Sequence, residues 1–214
     1  MEMNGIKRAA LYAWGCNKTK ELGVDEVLAK FIFSPGLSDE DEIAGVVKKL
    51  YPNNSFMKLR VEIDDFGTKD YFSDEVAKTY WLGGTALREF GKFLPFHNFE
   101  VLETGSIVKR NKKAFADFFP KMLECCVFPA MVSSFSKNHQ LLLVEYSPIE
   151  YSDGKFFLSS QKKRLEIKVG FLRNARIGDL VSFHLGHGRE KITKEEGDAL
   201  TFWTQESLDI LNRK

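Results

Sequence analysis

The sequence predicts an α+β fold in which a mainly helical domain, residues 1–123, packs on a small antiparallel, OB-like β-barrel with a C-terminal helix, residues 124–214. Apolar residues recur at helical spacing in the first part of the chain. Short β-rich runs separated by turn residues begin near Cys125, and a capped amphipathic segment follows them. The sequence contains no repeat, low-complexity tract or obvious flexible linker, so we expect the two parts to pack together.

Two helices are well marked in the N-terminal part. The first begins at the acidic cap Ser38–Asp41, where carboxylates stabilise the positive end of a helix, and stops at Tyr51-Pro52. The second begins at Ser73 and continues at helical spacing towards Gly91. Between them, segment 56–64 fits both an alternating strand and one face of a helix, and both interpretations stay open.

Five strands are predicted in the C-terminal part, with a hairpin-type turn at Asp153-Gly154 and a further turn at Ile177–Asp179. We expect these short strands to close into a barrel, because closure leaves no exposed edge strand. The predicted strands are Val127–Phe135, Gln140–Tyr146, Lys155–Leu158, Leu165–Val169 and Leu180–Leu185.

The last segment is predicted to be helical. Thr193 and Glu196 have the spacing of a capping box, and Leu200, Trp203 and Leu208 lie on one apolar face behind it. The chain is also rich in phenylalanine, with 19 Phe against 6 Tyr and 3 Trp. Many of these rings lie within residues 90–99 and 115–119, where we expect them to wedge the helical part against the barrel.

The composition argues against two classes of partner. The chain has 31 basic and 30 acidic residues, so it lacks the basic excess that binding to nucleic acid or to an anionic membrane requires. The longest uncharged stretch, Cys125–Ser136, is too short to cross a bilayer, and the N-terminus lacks a secretory signal. Three cysteines, two of them adjacent, do not form a disulfide framework. We therefore expect a cytoplasmic protein with reduced thiols.

The candidate chemical groups lie at the ends of the predicted barrel strands. Cys125 and Cys126 begin the first strand, although a free cysteine commonly serves as a small buried apolar residue. His184 and His187 end the last strand, where a histidine is often a structural polar group. The single cysteine pair and the four histidines do not have the sequence spacing of a tetrahedral zinc site. The histidines are His97, His139, His184 and His187.

Two motifs in residues 124–214 stand at a specific separation. The first, Cys125-Cys126-Val127-Phe128-Pro129, begins a strand. The second, Gly178-Asp179-Leu180-Val181-Ser182-Phe183-His184-Leu185-Gly186, leads into an acidic helix. Together they resemble the small chaperone family of nickel–iron (NiFe) hydrogenase maturation, the HypC/HybG/HupF type. The chain departs from this family in having Ala130 in place of a glycine and 124 residues before the motif cysteine.

The resemblance implies an assembly factor rather than an enzyme. Family members transiently carry an iron with cyanide and carbonyl ligands, held together with the scaffold protein HypD, and then meet the hydrogenase large subunit. Carried over to this sequence, Cys125 would be the thiolate ligand and His184 the histidine near the iron. Cys125 would also bind the partner, together with Cys126, Pro129 and His187. A soft low-spin iron favours thiolate, which fits this assignment.

Two other functions stay open from the residues. One is a small cysteine enzyme in which Cys125 or Cys126 is the nucleophile and His184 the base. The other is a protein-binding barrel that has kept the chaperone shape and lost the metal. Upstream, Tyr80–Gly84 and Pro95–Phe99 are similar to an uncharacterised prokaryotic family that joins a helical region to a chaperone-like end, which implies no known activity for residues 1–123.

Overall fold

A computed structural model describes residues 4–33, 40–50, 58–59, 62–63, 73–108, 112–136 and 140–213. The predicted α+β class is confirmed, because helices precede a closed five-stranded barrel that is followed by one long helix. The predicted cap at Ser38 and the candidate residue His139 lie outside the described residues. Within the described ranges, no helix has both the length and the apolar character needed to cross a bilayer.

The helices of the N-terminal part pack around α1, which is almost completely buried. Segment 56–64 fits both a strand and a helix in the sequence. Its described residues, 58–59 and 62–63, are helical, and Leu59 is buried, which supports the helix. The α-helices with defined bounds are α1 Gly5–Ala13, α2 Asn17–Glu21, α3 Asp25–Phe33, α4 Glu40–Leu50, α5 Asp74–Leu82, α6 His97–Val108, α7 Lys112–Glu124 and α8 Lys194–Asn212.

The helix predicted from Ser73 is present but shorter than expected. Ser73 caps α5 through its hydroxyl, and the helix ends at Leu82. Gly83 follows with a φ of 87°, and a Cβ at this position would lie 2.6 Å from the ring of Trp203. The chain therefore turns where α5 meets α8, and it continues as a 3₁₀ helix over Thr85–Phe90.

The barrel closes in the order β1-β2-β5-β7-β6. Its neighbouring strands are antiparallel, with Val132 opposite Val144 and Ala130 opposite Val181, except that β5 and β7 pair in parallel at Lys168 and His187. The predicted antiparallel barrel is thus mixed at one seam. The strands are β1 Phe128–Phe135, β2 Leu141–Tyr146, β3 Ile149–Ser152, β4 Lys155–Leu158, β5 Lys163–Lys168, β6 Leu180–His184 and β7 His187–Lys191.

One predicted barrel strand was wrong in its placement. Lys155–Leu158 forms β4, but it pairs only with β3 in a two-stranded hairpin beside the barrel. Asp153 and Gly154, with φ of 52° and 80°, make the tight turn that commits β4 to this pairing. The fifth barrel strand is instead β7, a polar segment that lacks the usual strand composition.

Aromatic rings join the helical part to the C-terminal part. Phe115 and Phe119 of α7 stack on each other, with ring centroids 5.2 Å apart. Phe115 also packs on Tyr151 and Phe156 of the β3–β4 hairpin, at 4.6 and 6.0 Å. Phe115 and Phe119 thus pack against the C-terminal part as expected, but the surface they contact is the β3–β4 hairpin and not the barrel.

The predicted C-terminal helix is confirmed. Thr193 and Glu196 exchange both bonds of a capping box at its start. Leu200, Trp203 and Leu208 are buried, and α8 packs against α6, β1 and β4. This helix therefore covers one side of the barrel and contacts the helical part at the same time.

Candidate functional site

Cys125 lies in the turn between α7 and β1, next to the end of β6. Its main-chain N–H closes the last turn of α7 by donating to the carbonyl of Met122, at 3.0 Å. The N–H of Leu185, just beyond β6, donates to the Glu124 carbonyl at 2.9 Å. The fold therefore brings Cys125 and His184, which are far apart in sequence, to the same end of the barrel. The thiol-bearing residue Cys125 is partly exposed there.

His184 is completely buried at the end of β6. Its Nδ1 lies 3.0 Å from the Tyr12 carbonyl, and because a carbonyl can only accept, Nδ1 carries the hydrogen of the neutral ring. Nε2 has no hydrogen-bond partner among the described residues. The neutral ring thus keeps an uncommitted lone pair inside the protein.

His97 lies beside His184 and is partly buried. Its Nε2 donates to the Cys125 carbonyl at 2.9 Å, and its ring centroid lies 5.2 Å from that of His184. Trp81 borders both rings, with centroid distances of 4.2 Å to His97 and 5.8 Å to His184. In the sequence, His97 is only one of four histidines, because nothing in its local sequence indicates a contact with Cys125.

Burial keeps both imidazoles neutral near physiological pH. It lowers the pKa of His97 to about 4, although the bond to the Cys125 carbonyl acts in the opposite direction. The pKa of His184 is also well below its usual value, because of burial, the positive charge of Arg189 and, at a pH low enough to protonate it, the charge of His97. The carbonyls of Tyr12 and Cys125 oppose this shift, although that of Cys125 makes no well-directed bond to Nε2. Neutral imidazole is the form that binds a metal.

The thiols are not activated. Burial raises the pKa of Cys125, and the charge of Glu124 adds to the effect. Burial likewise raises the pKa of Cys126, and it raises that of Cys16 to about 12. A nucleophilic cysteine needs the opposite shift, which a nearby cation or a helix N-terminus supplies. These directions disfavour the cysteine enzyme as an interpretation of the site.

The other expected partner-binding residues differ in accessibility. Cys126 is fully buried, so its contribution to any interface would be through packing. Pro129 is partly buried on β1, opposite Ser182 of β6. His187 begins β7 with its ring edge-on to Trp14 at 5.0 Å, and burial and the charge of Arg189 lower its pKa to about 4. Pro129 and His187 thus keep some exposed surface, as Cys125 does.

A buried arginine holds the helical part against this end of the barrel. Arg189 on β7 is 1% exposed and donates to the carbonyls of Leu11, Trp14 and His184 at 2.8, 3.0 and 3.2 Å. Arg189 could not be selected from the sequence, because an arginine in a polar segment predicts a solvated side chain. The only local signal was its position directly after His187-Gly188.

The candidate donors are Cys125, just before β1, and His184, at the end of the neighbouring strand β6. Among the residues that the structure describes, no group of three or more His, Cys, Asp or Glu side chains is arranged to hold a metal ion. The arrangement offers one partly exposed cysteine, one buried nitrogen with a free lone pair, and an aromatic neighbour in Trp81.

Comparisons with protein-family models, with curated proteins and with solved structures each found no match for the chain. The resemblance to the hydrogenase chaperones therefore depends on the two sequence motifs. The fold and the geometry around Cys125 and His184 stand independently of that resemblance.

Proposed function

We propose that this protein is a non-catalytic assembly factor for NiFe hydrogenase maturation. It receives an iron that carries cyanide and carbonyl ligands from a HypD-like scaffold protein, and it binds the precursor of the hydrogenase large subunit. The observation that carries the proposal is the uncommitted, buried Nε2 of His184 at the same end of the barrel as the partly exposed Cys125. A thiolate and a neutral imidazole are suitable donors for a soft iron cargo.

The hydrogen bond from Nδ1 of His184 to the Tyr12 carbonyl supports this role. A hydrogen bond at one ring nitrogen fixes the tautomer and the orientation of an imidazole that binds a metal through its other nitrogen. Trp81 and His97 pack beside the ring and further restrict its orientation. Cys125 follows the last turn of α7, and its main-chain carbonyl is held by His97. The imidazole of His184 and the main chain of Cys125 are thereby positioned before any cargo arrives.

The raised pKa values of the thiols support a role in iron transfer rather than in nucleophilic catalysis. A carrier needs a thiol that loses its proton when the metal binds, and it does not need a thiolate beforehand. The scaffold and the large subunit would supply the remaining ligands during transfer. Cys125, Pro129 and His187 would lie at the contact with these partners, because they keep exposed surface around the donors.

Co-purification from the native host tests this function. A tagged full-length chain is expected to retain the scaffold or the large-subunit precursor, and deletion of its gene is expected to reduce hydrogenase maturation. Cys125→Ala should lower both recovery and complementation, whereas Cys16→Ala, which removes another protonated thiol, should leave them unchanged. Wild-type maturation in the deletion strain, together with no recovered partner, would contradict the proposal.

The complete burial of His184 favours one alternative, a protein-binding barrel without a metal. In that case, the ring would serve only to join α1 to β6 through the Tyr12 carbonyl. Full complementation by Cys125→Ala with partner binding retained would favour this alternative over the iron carrier.

A further inference from the structure

One edge of β5 is open along most of its length, although the strand order closes into a barrel. On one side, β5 pairs with β2 over the whole range Lys163–Lys168. On the other side, it meets β7 only where Lys168 lies opposite His187. Among the described residues, no strand pairs with this second side of residues 163–167. The barrel wall therefore has a gap beside β5.

The main-chain groups of Arg164 and Glu166 point into this gap. The N–H of Lys168 donates to the Gly186 carbonyl at 2.8 Å, on the side away from β2. Because every second residue of a strand directs its N–H and C=O to the same side, those of Arg164 and Glu166 also point away from β2. Neither N–H has a main-chain acceptor in the part of the chain that the structure describes. Both residues can therefore pair with a further strand.

The exposure of Leu165 shows that solvent reaches this gap. Leu165 lies opposite Val144 and on the same face of β5 as Ile167, and both of these neighbours are almost completely buried. Leu165 itself is 37% exposed. A side chain on the buried face of the barrel is thus uncovered because the wall beside it is missing.

The charges of β5 favour one antiparallel pairing of this edge with the same edge of a second copy. When two copies pair about Leu165, Arg164 of each copy lies opposite Glu166 of the other, since both residues are adjacent to Leu165 in the chain. The nearest registers that keep the hydrogen-bond pattern are centred on Arg164 or on Glu166, and they place that residue opposite its own copy. Opposite charges stabilise a cross-strand pair, and like charges destabilise it.

The same register also brings the open main-chain groups together. Arg164 and Glu166 of opposite copies become hydrogen-bonded pairs, in which each pair exchanges both of its N–H and C=O bonds. Leu165 meets Leu165 of the second copy in the intervening pair, where side chains approach most closely. The apolar surface that each copy exposes beside the gap is therefore covered by the other.

The existing contacts of these side chains leave them available. The Nε of Arg164 donates to Glu145 of β2 at 2.8 Å, but the side chain is 70% exposed, and a guanidinium has further N–H donors. Glu166 is exposed and forms no ion pair within the described ranges. Arg164 can thus bind Glu145 of its own chain and Glu166 of a second copy together.

We propose that two copies of this chain associate by antiparallel pairing of their β5 edges, centred on Leu165. The reciprocal match of Arg164 with Glu166 selects the partner and the register. So short an edge forms a small interface, and small interfaces belong to weak complexes, so the association should depend on concentration. The proposal is independent of the iron-carrier function, because β5 contains neither Cys125 nor His184.

Sedimentation equilibrium of the full chain tests this proposal, with a reducing agent present so that no disulfide links two copies. We expect a reversible equilibrium between monomer and dimer. Arg164→Glu should weaken the dimer about tenfold or more, because two attractive pairs become repulsive. Arg88→Glu reverses the charge of an exposed arginine on the 3₁₀ helix and should leave the equilibrium unchanged.

Exchanging the two charges separates the interface from any effect on folding. Arg164→Glu/Glu166→Arg restores opposite charges in the same register, so it should recover most of the lost affinity. Hydrogen exchange followed by NMR gives a second measurement: the amide of Glu166 should become more protected as the concentration rises, whereas that of Ile167, which faces β2, should not change.

Three results would each overturn the proposal. They are equal dimerisation of the wild-type chain and Arg164→Glu, no recovery in the double variant, and a wild-type chain that is monomeric at every concentration. The last result would leave the β5 edge to a segment of another protein.

Discussion

Asn98 and Val127 exchange two hydrogen bonds of 2.8 Å each. The side-chain amide of Asn98, on α6, donates to the Val127 carbonyl, and its oxygen accepts from the Val127 N–H just before β1. The same amide donates to the Thr204 hydroxyl of α8 at 2.9 Å. One buried side chain thus joins a helix of the N-terminal part to the start of the barrel and to the helix that covers it.

Replacing Asn98 should loosen this junction. Asn98→Ala leaves the N–H and carbonyl of Val127 buried without partners, and each such group costs about 1–3 kcal/mol. We expect the free energy of unfolding to fall by about 3 kcal/mol or more, measured by urea denaturation.

Asn212 provides a matched comparison, because it makes the same two-bond exchange with the main chain of Phe156, at 2.9 and 2.7 Å. It is only partly buried, so water can replace the lost bonds in Asn212→Ala. The cost of Asn212→Ala should therefore be clearly smaller. Equal costs for the two variants would contradict the role given to burial at Asn98.

The ion pair between Arg8 and Glu190 is expected to couple α1 to β7. Both side chains are buried, and Arg8→Met leaves the Glu190 carboxylate without its main counter-charge. Breaking one side of a buried pair costs about 3–5 kcal/mol, so Arg8→Met should be strongly destabilising. The double variant Arg8→Met/Glu190→Gln should recover part of this loss in a double-mutant cycle.

A surface pair serves as the control for that cycle. Lys194 and Asp198 are exposed and form an i,i+4 pair on α8, where solvent screens their charges. The same cycle applied to them should give a far smaller coupling energy. Additive costs for Arg8→Met and Glu190→Gln would show that the buried pair does not act as a unit.

Stability should decrease as the pH is lowered from 7 towards 4. His97 titrates near its usual value of 6.5 when unfolded and at about 4 when folded, so the unfolded state binds more protons between these values. The contribution of His97 to the free energy of unfolding is complete above pH 6.5. It is lost progressively as the pH falls to 4, and the total loss is about 3 kcal/mol. His184, whose pKa is lowered in the same direction, adds to the loss.

Urea unfolding at a series of pH values measures this effect. His97→Gln removes one titrating group and keeps an N–H donor for the Cys125 carbonyl, so its stability should depend less steeply on pH. An unchanged dependence in this variant would mean that folding does not lower the pKa of His97.

The parallel seam of the barrel depends on a close approach between Gly170 and Gly188. A Cβ at Gly170 would lie 2.4 Å from the Gly188 carbonyl oxygen. Gly23 also has a positive φ, 65° against 58°, and has no atom within 4 Å of the corresponding position. Each Gly→Ala substitution incurs the cost of about 1–2 kcal/mol of a left-handed backbone, and only Gly170→Ala also forces β5 away from β7.

Gly170→Ala should therefore unfold at a clearly lower temperature than Gly23→Ala. Circular dichroism melting of the two variants measures the difference directly. If both melt at the same temperature, closure at this seam contributes little to stability.

Two strands, β4 and β7, show how far the sequence could predict the fold. The pattern of Lys155–Leu158 identifies a strand correctly, but it does not say which neighbour the strand pairs with. Pairing is decided by the tight turn at Asp153-Gly154 and by the burial of Phe156 against α7. β7 was not predicted as a strand, because its composition is polar. Its polar residues Arg189 and Glu190 are buried by partners from α1, which lie more than 170 residues away in the chain.

The residues of the candidate site could likewise be predicted only in part. Cys125 and His184 could be selected from the sequence, because their motifs are local and carry a family resemblance. His97 could not, since its role depends on a contact with the Cys125 carbonyl that only the packing of α6 on the barrel creates. Tyr12 is likewise a distant residue, and its carbonyl sets the tautomer of His184. Residues that position a donor are generally set by such tertiary contacts.

Infrared spectroscopy of the chain purified with its partners from a hydrogenase-producing host tests the central claim most directly. The iron-carrier function predicts cyanide and carbonyl stretching bands in the wild-type complex, their loss in Cys125→Ala, and their retention in Cys16→Ala. His184→Phe, which keeps a buried ring and removes the uncommitted nitrogen, should weaken or shift the bands. A wild-type complex without these bands, or bands of equal intensity in Cys125→Ala, would contradict the account.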